Sequence, residues 1–255
     1  MSELKISIIT VSYNNKETIE DTILSVKGQD YPNVEYIVVD GASNDGTVEI
    51  LKSHQNNISH IITEPDDGIY YAMNKGIDLA SGDVIGFINA DDVLASPQVL
   101  SNVARVMQDE SLDSCFSDLV YVRPNDLDKV VRFWQSSPFS VESFSDGWSP
   151  PHPTFYVKRK IYEEFGKFDL NYHMGNDIEL MMRFLERYRI STLYIPQVWV
   201  KMRLGGVSNN SLQNIFTQNK EIIRSARSNR VPLVVHDFII GKLKDRVSQY
   251  VWHWF

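Results

Sequence analysis

The 255-residue sequence predicts an α/β fold, with a mostly parallel central sheet, helices on both faces and a helical C-terminal extension. Three observations carry that prediction. Apolar, β-branched runs alternate with segments of helical periodicity from the N-terminus to Asp92. The runs are continuous rather than alternating apolar and polar, as strands covered on both faces require. Each run also ends in a polar cluster, the pattern of a sheet whose carboxyl edge holds a ligand.

Taken in order, residues 6–11 read as a strand, and Ile19, Ile23 and Val26 mark one face of a helix. Residues 34–39, 58–63 and 84–88 read as further strands, separated by helices over 47–54 and 70–79. Beyond Asp92 the pattern gives a helix over 98–108, strands over 114–122 and 129–134, a helix over 177–187, and short strands over 192–195 and 198–202. Pro138, Gly147, Pro150, Pro151 and Pro153 punctuate residues 139–153, which read as a loop. A loop of that length in a compact domain is usually functional. The expected organisation is one large unit over 1–208, with halves 1–92 and 93–208, and an extension over 209–255.

Composition narrows the function classes. The 43% hydrophobic and 23% charged residues are those of an ordinary globular protein. The single cysteine, Cys115, excludes an intramolecular disulfide framework and a cysteine-only zinc site, and fits a reducing cytoplasm. The apolar run at 6–11 is too short for a secretory signal, and no stretch approaches the roughly 18 apolar residues of a membrane span. A net charge of −8 argues against nucleic-acid binding. The charge is uneven, however: residues 201–255 hold nine Lys/Arg against three acids. Such a basic tail suits an anionic neighbour such as a lipid headgroup layer.

The strand-end clusters carry the chemistry. Thr10, Ser12, Tyr13 and Asn14 follow the first strand, and Asp40-Gly-Ala-Ser-Asn-Asp-Gly-Thr47 the second. Glu64-Pro-Asp-Asp-Gly68 follows the third, and Asn89-Ala-Asp-Asp92 the fourth. In a parallel sheet all four gather on one rim. A dinucleotide site would need a glycine-rich first turn, and Ser12-Tyr-Asn-Asn15 has no glycine; a GxxxxGK[ST] phosphate loop is missing as well. A bound pyrophosphate would instead need a divalent cation on carboxylates, and Asp91 and Asp92 are suitably placed. Paired acids in a turn are equally a common solvated surface.

The chain resembles family 2 glycosyltransferases of the GT-A fold, a Rossmann-like architecture, and among them bacterial O-antigen and exopolysaccharide members. Eight motifs carry the resemblance, in order: Ile8-Ile-Thr-Val-Ser-Tyr-Asn14; Tyr36-Ile-Val-Val-Asp-Gly-Ala-Ser-Asn-Asp-Gly-Thr47; Gly68-Ile-Tyr-Tyr-Ala-Met-Asn-Lys-Gly76; Gly82-Asp83 with Phe87-Ile-Asn-Ala-Asp-Asp92; His152-Pro-Thr-Phe155; Gly166-Lys-Phe-Asp169; Gly175-Asn-Asp177; and Gly205-Gly-Val-Ser208. The resemblance implies that residues 1–92 bind a nucleotide sugar and 93–208 the acceptor. It implies that Thr10, Ser12 and Tyr13 lie along the nucleoside, that Asp40 bonds the base, and that Lys75 approaches the diphosphate. Residues 89–91 occupy the family's DxD position, with Asn89 near the ribose and Asp91, aided by Asp92, holding Mn²⁺ or Mg²⁺. Asn89 and Gly41 stand where acids are common, so metal binding leans on Asp91.

Asp177 matches the family's catalytic base; as a residue type in that place it is equally a helix N-cap. Glu179 is the alternative acid, and more readily faces solvent or a basic neighbour. His152 matches a histidine that faces the site in related chains and contacts acceptor or diphosphate, or else is structural; Arg203, ahead of Gly205-Gly206, pairs its planar fork with a phosphate, or else is a surface strand arginine. The implied reaction is inverting transfer of a hexose or N-acetylhexosamine from a UDP-sugar to a saccharide hydroxyl. The implied acceptor is undecaprenyl-diphosphate-linked, at the inner face of the cytoplasmic membrane. Two other readings stay open: a nucleotidyltransferase of sugar activation, and a non-catalytic sugar- or nucleotide-binding module. The tail divides at Pro232. Residues 212–227 form a helix, and Val235, Phe238, Ile239, Leu243, Val247, Tyr250, Val251 and Trp254 recur at helical spacing. Residues 233–255 then either dock on the catalytic unit or a second subunit, or lie in a membrane interface.

Overall fold

The computed structural model describes residues 4–205 and 212–251. The first half of the chain builds a parallel sheet. Strand β1 (Ile6–Ser12) lies between β2 (Val34–Asp40) and β4 (Val84–Phe87), and β3 (His60–Thr63) adds to β2, all in parallel register. Every residue of β1 is buried. Its isoleucines face opposite sides, Ile6 and Ile8 one cluster and Ile9 the other, so both faces need covering. Each such side chain contributes about 1.5–3 kcal/mol on burial.

Helices α1 (Ile19–Lys27), α2 (Thr47–Ser53) and α4 (Val99–Met107) cover one face. Helices α3 (Ile69–Leu79), α5 (Arg159–Phe165) and α6 (Asn176–Met182) cover the other. The second half of the sheet is mixed. Strand β8 (Tyr156–Lys158) runs antiparallel to both β4 and β6 (Ser114–Arg123), and so bridges the halves. Strand β9 (Thr192–Arg203) is parallel to β6, while β7 (Asp126–Trp134) and the short β5 (Val93–Leu94) are antiparallel to β6 and β9. The full order is β3-β2-β1-β4-β8-β6-β9-β5, with β7 against β6. Two helices follow, α7 (Leu212–Ser228) and α8 (Val235–Val251).

The structure departs from the sequence expectations at irregular places. The strands expected at 192–195 and 198–202 are one strand, bent where its register against β6 slips past Ser117 and Asp118. The expected helix 177–187 breaks into α6 and a π turn, Arg183–Arg187. The loop at 139–153 holds two 3₁₀ turns, Ser143–Asp146 and His152–Thr154. Strands β5 and β8 and helix α5 were not foreseen; the strands, of two and three residues, are too short for a period to register, and the helix spans only seven.

Helix α8 corrects the docking expectation in detail. It packs on the catalytic unit through Phe238, Lys242, Asp245 and Gln249, while Val235, Ile239, Leu243, Val247 and Tyr250 stay exposed. Its approach is close. A methyl group at Gly241 would sit 1.7 Å from the Asp146 carbonyl oxygen, and one at Gly147 2.4 Å from the Lys242 nitrogen. Glycine at both positions lets the helix backbone touch the 3₁₀ turn. Residues 206–208 of the last motif, residues 209–211 of the expected extension, and the tail beyond Val251 with Trp254 lie outside the described residues.

Candidate active site

Parallel pairing sets the carboxyl ends of β1, β2 and β4 side by side. Ser12 pairs with Asp40, and the chain leaving β4 at Phe87 runs directly into residues 89–92. The polar clusters meet there. A methyl group on Gly41 would lie 3.3 Å from the Tyr13 ring and 3.0 Å from an Asp66 carboxylate oxygen. Tyr13 is exposed on this rim. The buried Ser12 hydroxyl has no hydrogen-bond partner among the described residues. Asp40 is fully buried and accepts from the Ser43 N–H at 2.9 Å and from the Ser43 hydroxyl, so it caps its own turn. Lys75 pairs with Glu64 at 2.7 Å at the edge of the same rim. Thr10 is a correction: its side chain lies in the core, its hydroxyl accepting from the Tyr36 hydroxyl at 3.1 Å, one turn of the pleat below the rim.

The two acids at the end of β4 separate by environment. Asp92 is fully buried, with one oxygen accepting from the Asn89 amide at 2.9 Å and the other from the Arg203 N–H at 3.1 Å. Burial, and then the Asp91 charge, hold its carboxyl well above the usual range. Both oxygens are committed to the fold, which corrects the expectation of Asp92 as a metal ligand. Asp91 is only partly buried; burial raises it too, and it forms no ion pair among the described residues. No cluster of three His, Cys, Asp or Glu among those residues could hold a metal alone. One under-compensated carboxylate on the rim fits a hard cation that takes its remaining ligands from substrate phosphates and water.

Arg203 is also corrected. It is buried, and its guanidinium donates to the Pro124 carbonyl at 3.0 Å, to the Asp91 carbonyl at 2.7 Å and to the Asp21 carboxylate. With all three nitrogens engaged, it braces the Asp91 turn from behind and leaves no fork for a phosphate.

On the opposite side, His152 is buried between Phe87 and Phe168, with ring centroids 5.5 and 5.8 Å away. Burial lowers its pKa, and the Asp177 charge acts against that shift. Thr154 fixes this loop by donating to the Ser117 carbonyl at 2.9 Å. The Asp177 charge is thus felt at the histidine that stacks on the last residue of β4.

Asp177 is not the cap of α6, since Gly175 occupies that place. One Asp177 oxygen is buried without a partner among the described residues. Burial, followed by the Asp177 charge, pushes the Tyr70 hydroxyl well up. The motifs around it act as staples. Asn176 holds the Asp169 backbone through both its amide atoms, at 3.2 and 2.8 Å, and Asn74 holds Phe168 likewise, at 3.0 Å each.

Glu179 is the fourth correction. It is buried, bonded to Arg183 at 3.0–3.3 Å and to the Asn229 amide at 3.1 Å. Arg183 in turn donates to the carbonyls of Phe165, Gly166 and Lys167, so the pair ties α6 to its neighbours and faces no substrate.

Sequence reasoning missed two residues from the C-terminal helices. Glu221 on α7 accepts from the amides of His173, Met174 and Gly175 at 2.8–3.1 Å and so caps α6 from outside. Lys242 on α8 is within the electrostatic reach of Asp177. No local motif marks either one: Glu221 meets amides 46–48 residues earlier, and Lys242 donates to Asn219, 23 residues earlier. A surface depression of about 420 Å³ between α3 and α5 is lined by Asp78, Arg159, Glu163 and Lys167, away from this rim.

With this geometry in view, residues 7–166 match the profile of Glycosyl transferase family 2, well over half the chain. The chain belongs to glycosyltransferase family 2. An uncharacterised glycosyltransferase of Mycobacterium tuberculosis is 31% identical to it over 180 residues, covering 70% of this chain and 68% of the relative. The putative teichuronic acid biosynthesis glycosyltransferase TuaG of Bacillus subtilis is 39% identical over 90 residues, covering 34% of this chain and 36% of TuaG. Among solved structures, S. aureus TarS residues 1–349 in complex with UDP-GlcNAc superposes with a TM-score of 0.68 at 16% identity, over 96% of this chain and 73% of that one. The mannosyltransferase PcManGT of Pyrobaculum calidifontis, in complex with GDP-Man and Mn²⁺, gives 0.65 at 19% identity, over 98% and 74%. This glycosyltransferase thus has the GT-A fold, and no helix among its described residues is long and apolar enough to cross a membrane.

Proposed function

We propose that this glycosyltransferase moves a hexose or N-acetylhexosamine from a UDP-sugar to a hydroxyl of a lipid-diphosphate-linked saccharide, with inversion, in the synthesis of a cell-surface polysaccharide. One observation carries the proposal: Asp177 keeps a buried, unpartnered carboxylate oxygen, and its charge is felt at His152, whose ring packs on Phe87 at the end of the strand that leads to Asp91. The nucleotide lies on the rim, its base near Asp40, its ribose near Tyr13 and Asn89, and its diphosphate between Lys75 and Asp91. Asp177 takes the proton from the acceptor hydroxyl, whose oxygen bonds to the anomeric carbon as the bond to the diphosphate breaks on the opposite face. A carboxylate so placed contributes on the order of 10²–10⁴ in rate. His152, kept neutral by burial, shapes the floor beside the base. Asp91 would hold Mn²⁺ or Mg²⁺, which supplies Lewis-acid stabilisation of the leaving diphosphate. The nucleotide sugars bound by TarS and PcManGT, and the polymer named for TuaG, support the donor and product classes.

The test is Asp177→Asn. UDP release in the presence of acceptor should fall at least 10²-fold while UDP affinity stays within a factor of about two. Equal loss of both would move Asp177 to a structural role.

The exposed stripe Val235, Ile239, Leu243, Val247 and Tyr250, flanked by the exposed Lys244 and Arg246, suits an anionic bilayer surface, where such acceptors reside. Leu243→Glu should release the protein from phosphatidylglycerol vesicles without lowering its melting temperature. Undiminished sedimentation with vesicles would end the membrane reading.

A further inference from the structure

One cavity bordering the site has no part in the reaction above. It holds about 190 Å³ between two walls. The first is the start of α3, with Asp67, Ile69 and Tyr71; the second is the loop that carries Leu170, Tyr172 and His173. Both walls continue from segments already described. The α3 wall begins beside Asp66, whose carboxylate approaches Gly41 on the rim. The loop wall is the chain that runs into Asp177. Asn176 donates to the Tyr172 carbonyl at 3.4 Å, and Glu221 accepts from the His173 N–H at 3.0 Å. Tyr70 lines the cavity as well, with its ring 5.3 Å from Phe168, which packs on Phe87 and His152 at 5.6 and 5.8 Å. From His173 to Asp177 the chain spans at most about 14 Å.

The lining is that of a binding surface rather than a packing gap. The side chains of Asp67, Tyr71 and His173 make no hydrogen bond or ion pair among the described residues, and each is at least partly exposed. Tyr172 is held in place from behind, by the Arg224 guanidinium 4.1 Å over its ring. Gly68, at φ +130°, has nothing within 4 Å of where a Cβ would stand, so the backbone at the mouth is bare to an approaching ligand. The chemistry narrows that ligand. The cavity is smaller than the roughly 300–1,000 Å³ of sites for drug-sized molecules, so it takes one ring and not a nucleotide. The Asp67 carboxylate opposes an anion. A fitting ring must donate to Asp67, accept from the N–H groups that the first turn of α3 leaves without intrahelical partners, and set an apolar face against tyrosine. A sugar ring meets all three demands. We propose that this cavity is a subsite for a pyranose of the acceptor saccharide, the one behind the reacting sugar, and that Asp67 and His173 select the glycan by bonding its hydroxyls. That placement rests on the role given above to Asp177, which the terminal sugar would reach.

Saturation-transfer NMR of the full chain tests the subsite with cellobiose, lactose and N,N′-diacetylchitobiose as probes, and with UDP and Mn²⁺ as the donor probe. At least one disaccharide should bind the wild type, and Asp67→Ala and His173→Ala should each weaken it about fivefold or more, since each removes a bond to a hydroxyl. His173 is exposed and off the nucleotide rim, so His173→Ala should keep the wild-type melting temperature and UDP affinity. Failure of all three disaccharides to bind the wild type, or binding unchanged in both variants, would overturn the subsite. Loss of UDP affinity in step with the disaccharide in both variants would overturn it too, and hand the cavity to the donor. A chain that binds a disaccharide through Asp67 and His173, yet releases UDP from no UDP-sugar or turns over undiminished as Asp177→Asn, would instead sink the proposed reaction and leave the sugar subsite standing.

Discussion

Glu221→Ala tests whether α7 is part of the catalytic apparatus. In the native chain the Glu221 carboxylate takes four short contacts from three successive amides, His173, Met174 and Gly175, at 2.8–3.1 Å. These are N–H groups ahead of the first turn of α6, which has no side-chain cap of its own. His173 is exposed and recovers water after truncation, whereas Gly175 is buried and Met174 partly so. Two charge-assisted bonds are therefore lost without full replacement. Loss of an N-cap costs about 1–2 kcal/mol, and bonds to a charged group about 1.5–3 kcal/mol each at most, so about 2 kcal/mol is expected. For a domain of this size that lowers the melting temperature by roughly 4–8 °C. The kinetic consequence is sharper. Asp177 lies two residues beyond Gly175, and a displacement of about 1 Å in a reacting group costs up to roughly 10²-fold. kcat should fall about 10- to 100-fold while the UDP-sugar KM holds, since the nucleotide rim is built on other strands. Differential scanning calorimetry and steady-state UDP release check both halves. Melting within 1 °C and kcat within twofold of wild type would refute the reasoning and make the cap a bystander.

Two further outcomes follow from Glu179 and Asp91. Glu179→Gln leaves Arg183 buried with its carbonyl partners but no counter-charge; breaking such a pair costs about 3 kcal/mol, read as a melting temperature lower by about 6–12 °C. Asp91→Asn should cut turnover roughly 10²-fold or more and raise the Mn²⁺ concentration needed for half-maximal rate, whereas chelation should stop the wild type until Mn²⁺ is restored; a rate indifferent to chelator would remove the metal from Asp91.

The parallel half of the sheet was legible because its signal is local. The run Ile6 to Ser12 has no polar position that tolerates solvent, so only a doubly covered strand suits it, and its neighbours at 34 and 84 repeat the pattern. The rim followed from that topology, since parallel strands bring their ends together whatever lies between them. Individual site residues were less legible, for a physical reason. Asp92, Glu179 and Arg203 have the side chains of substrate-binding residues, and the same donors and acceptors serve equally to brace a turn. Which use prevails depends on partners far along the chain: Asp21 for Arg203, Asn229 for Glu179. Thr10 failed differently. Its hydroxyl follows the pleat inward to Tyr36, a matter of register that the type of residue does not disclose.

Helix α8 shows how a correct period can give the wrong face. Val235, Ile239, Leu243, Val247 and Tyr250 do form one stripe, but the stripe points outward, and the surface against the enzyme is set by Phe238, Lys242, Asp245 and Gln249. A helix arranged by burial alone would turn the other way, because exposing five large apolar side chains forgoes on the order of 1.5 kcal/mol or more for each. Two constraints hold it in place. Gly241 against Asp146 admits the backbone only in this rotation, since any other residue at that contact would carry a side chain into a carbonyl. Arg132 lies between the Tyr121 and Tyr250 rings, 3.5 and 5.7 Å from their centroids, which pins the far end. A rotation fixed by close backbone approach, at the cost of apolar exposure, seats one face of the helix on the 3₁₀ turn at Ser143–Asp146 and turns the other outward.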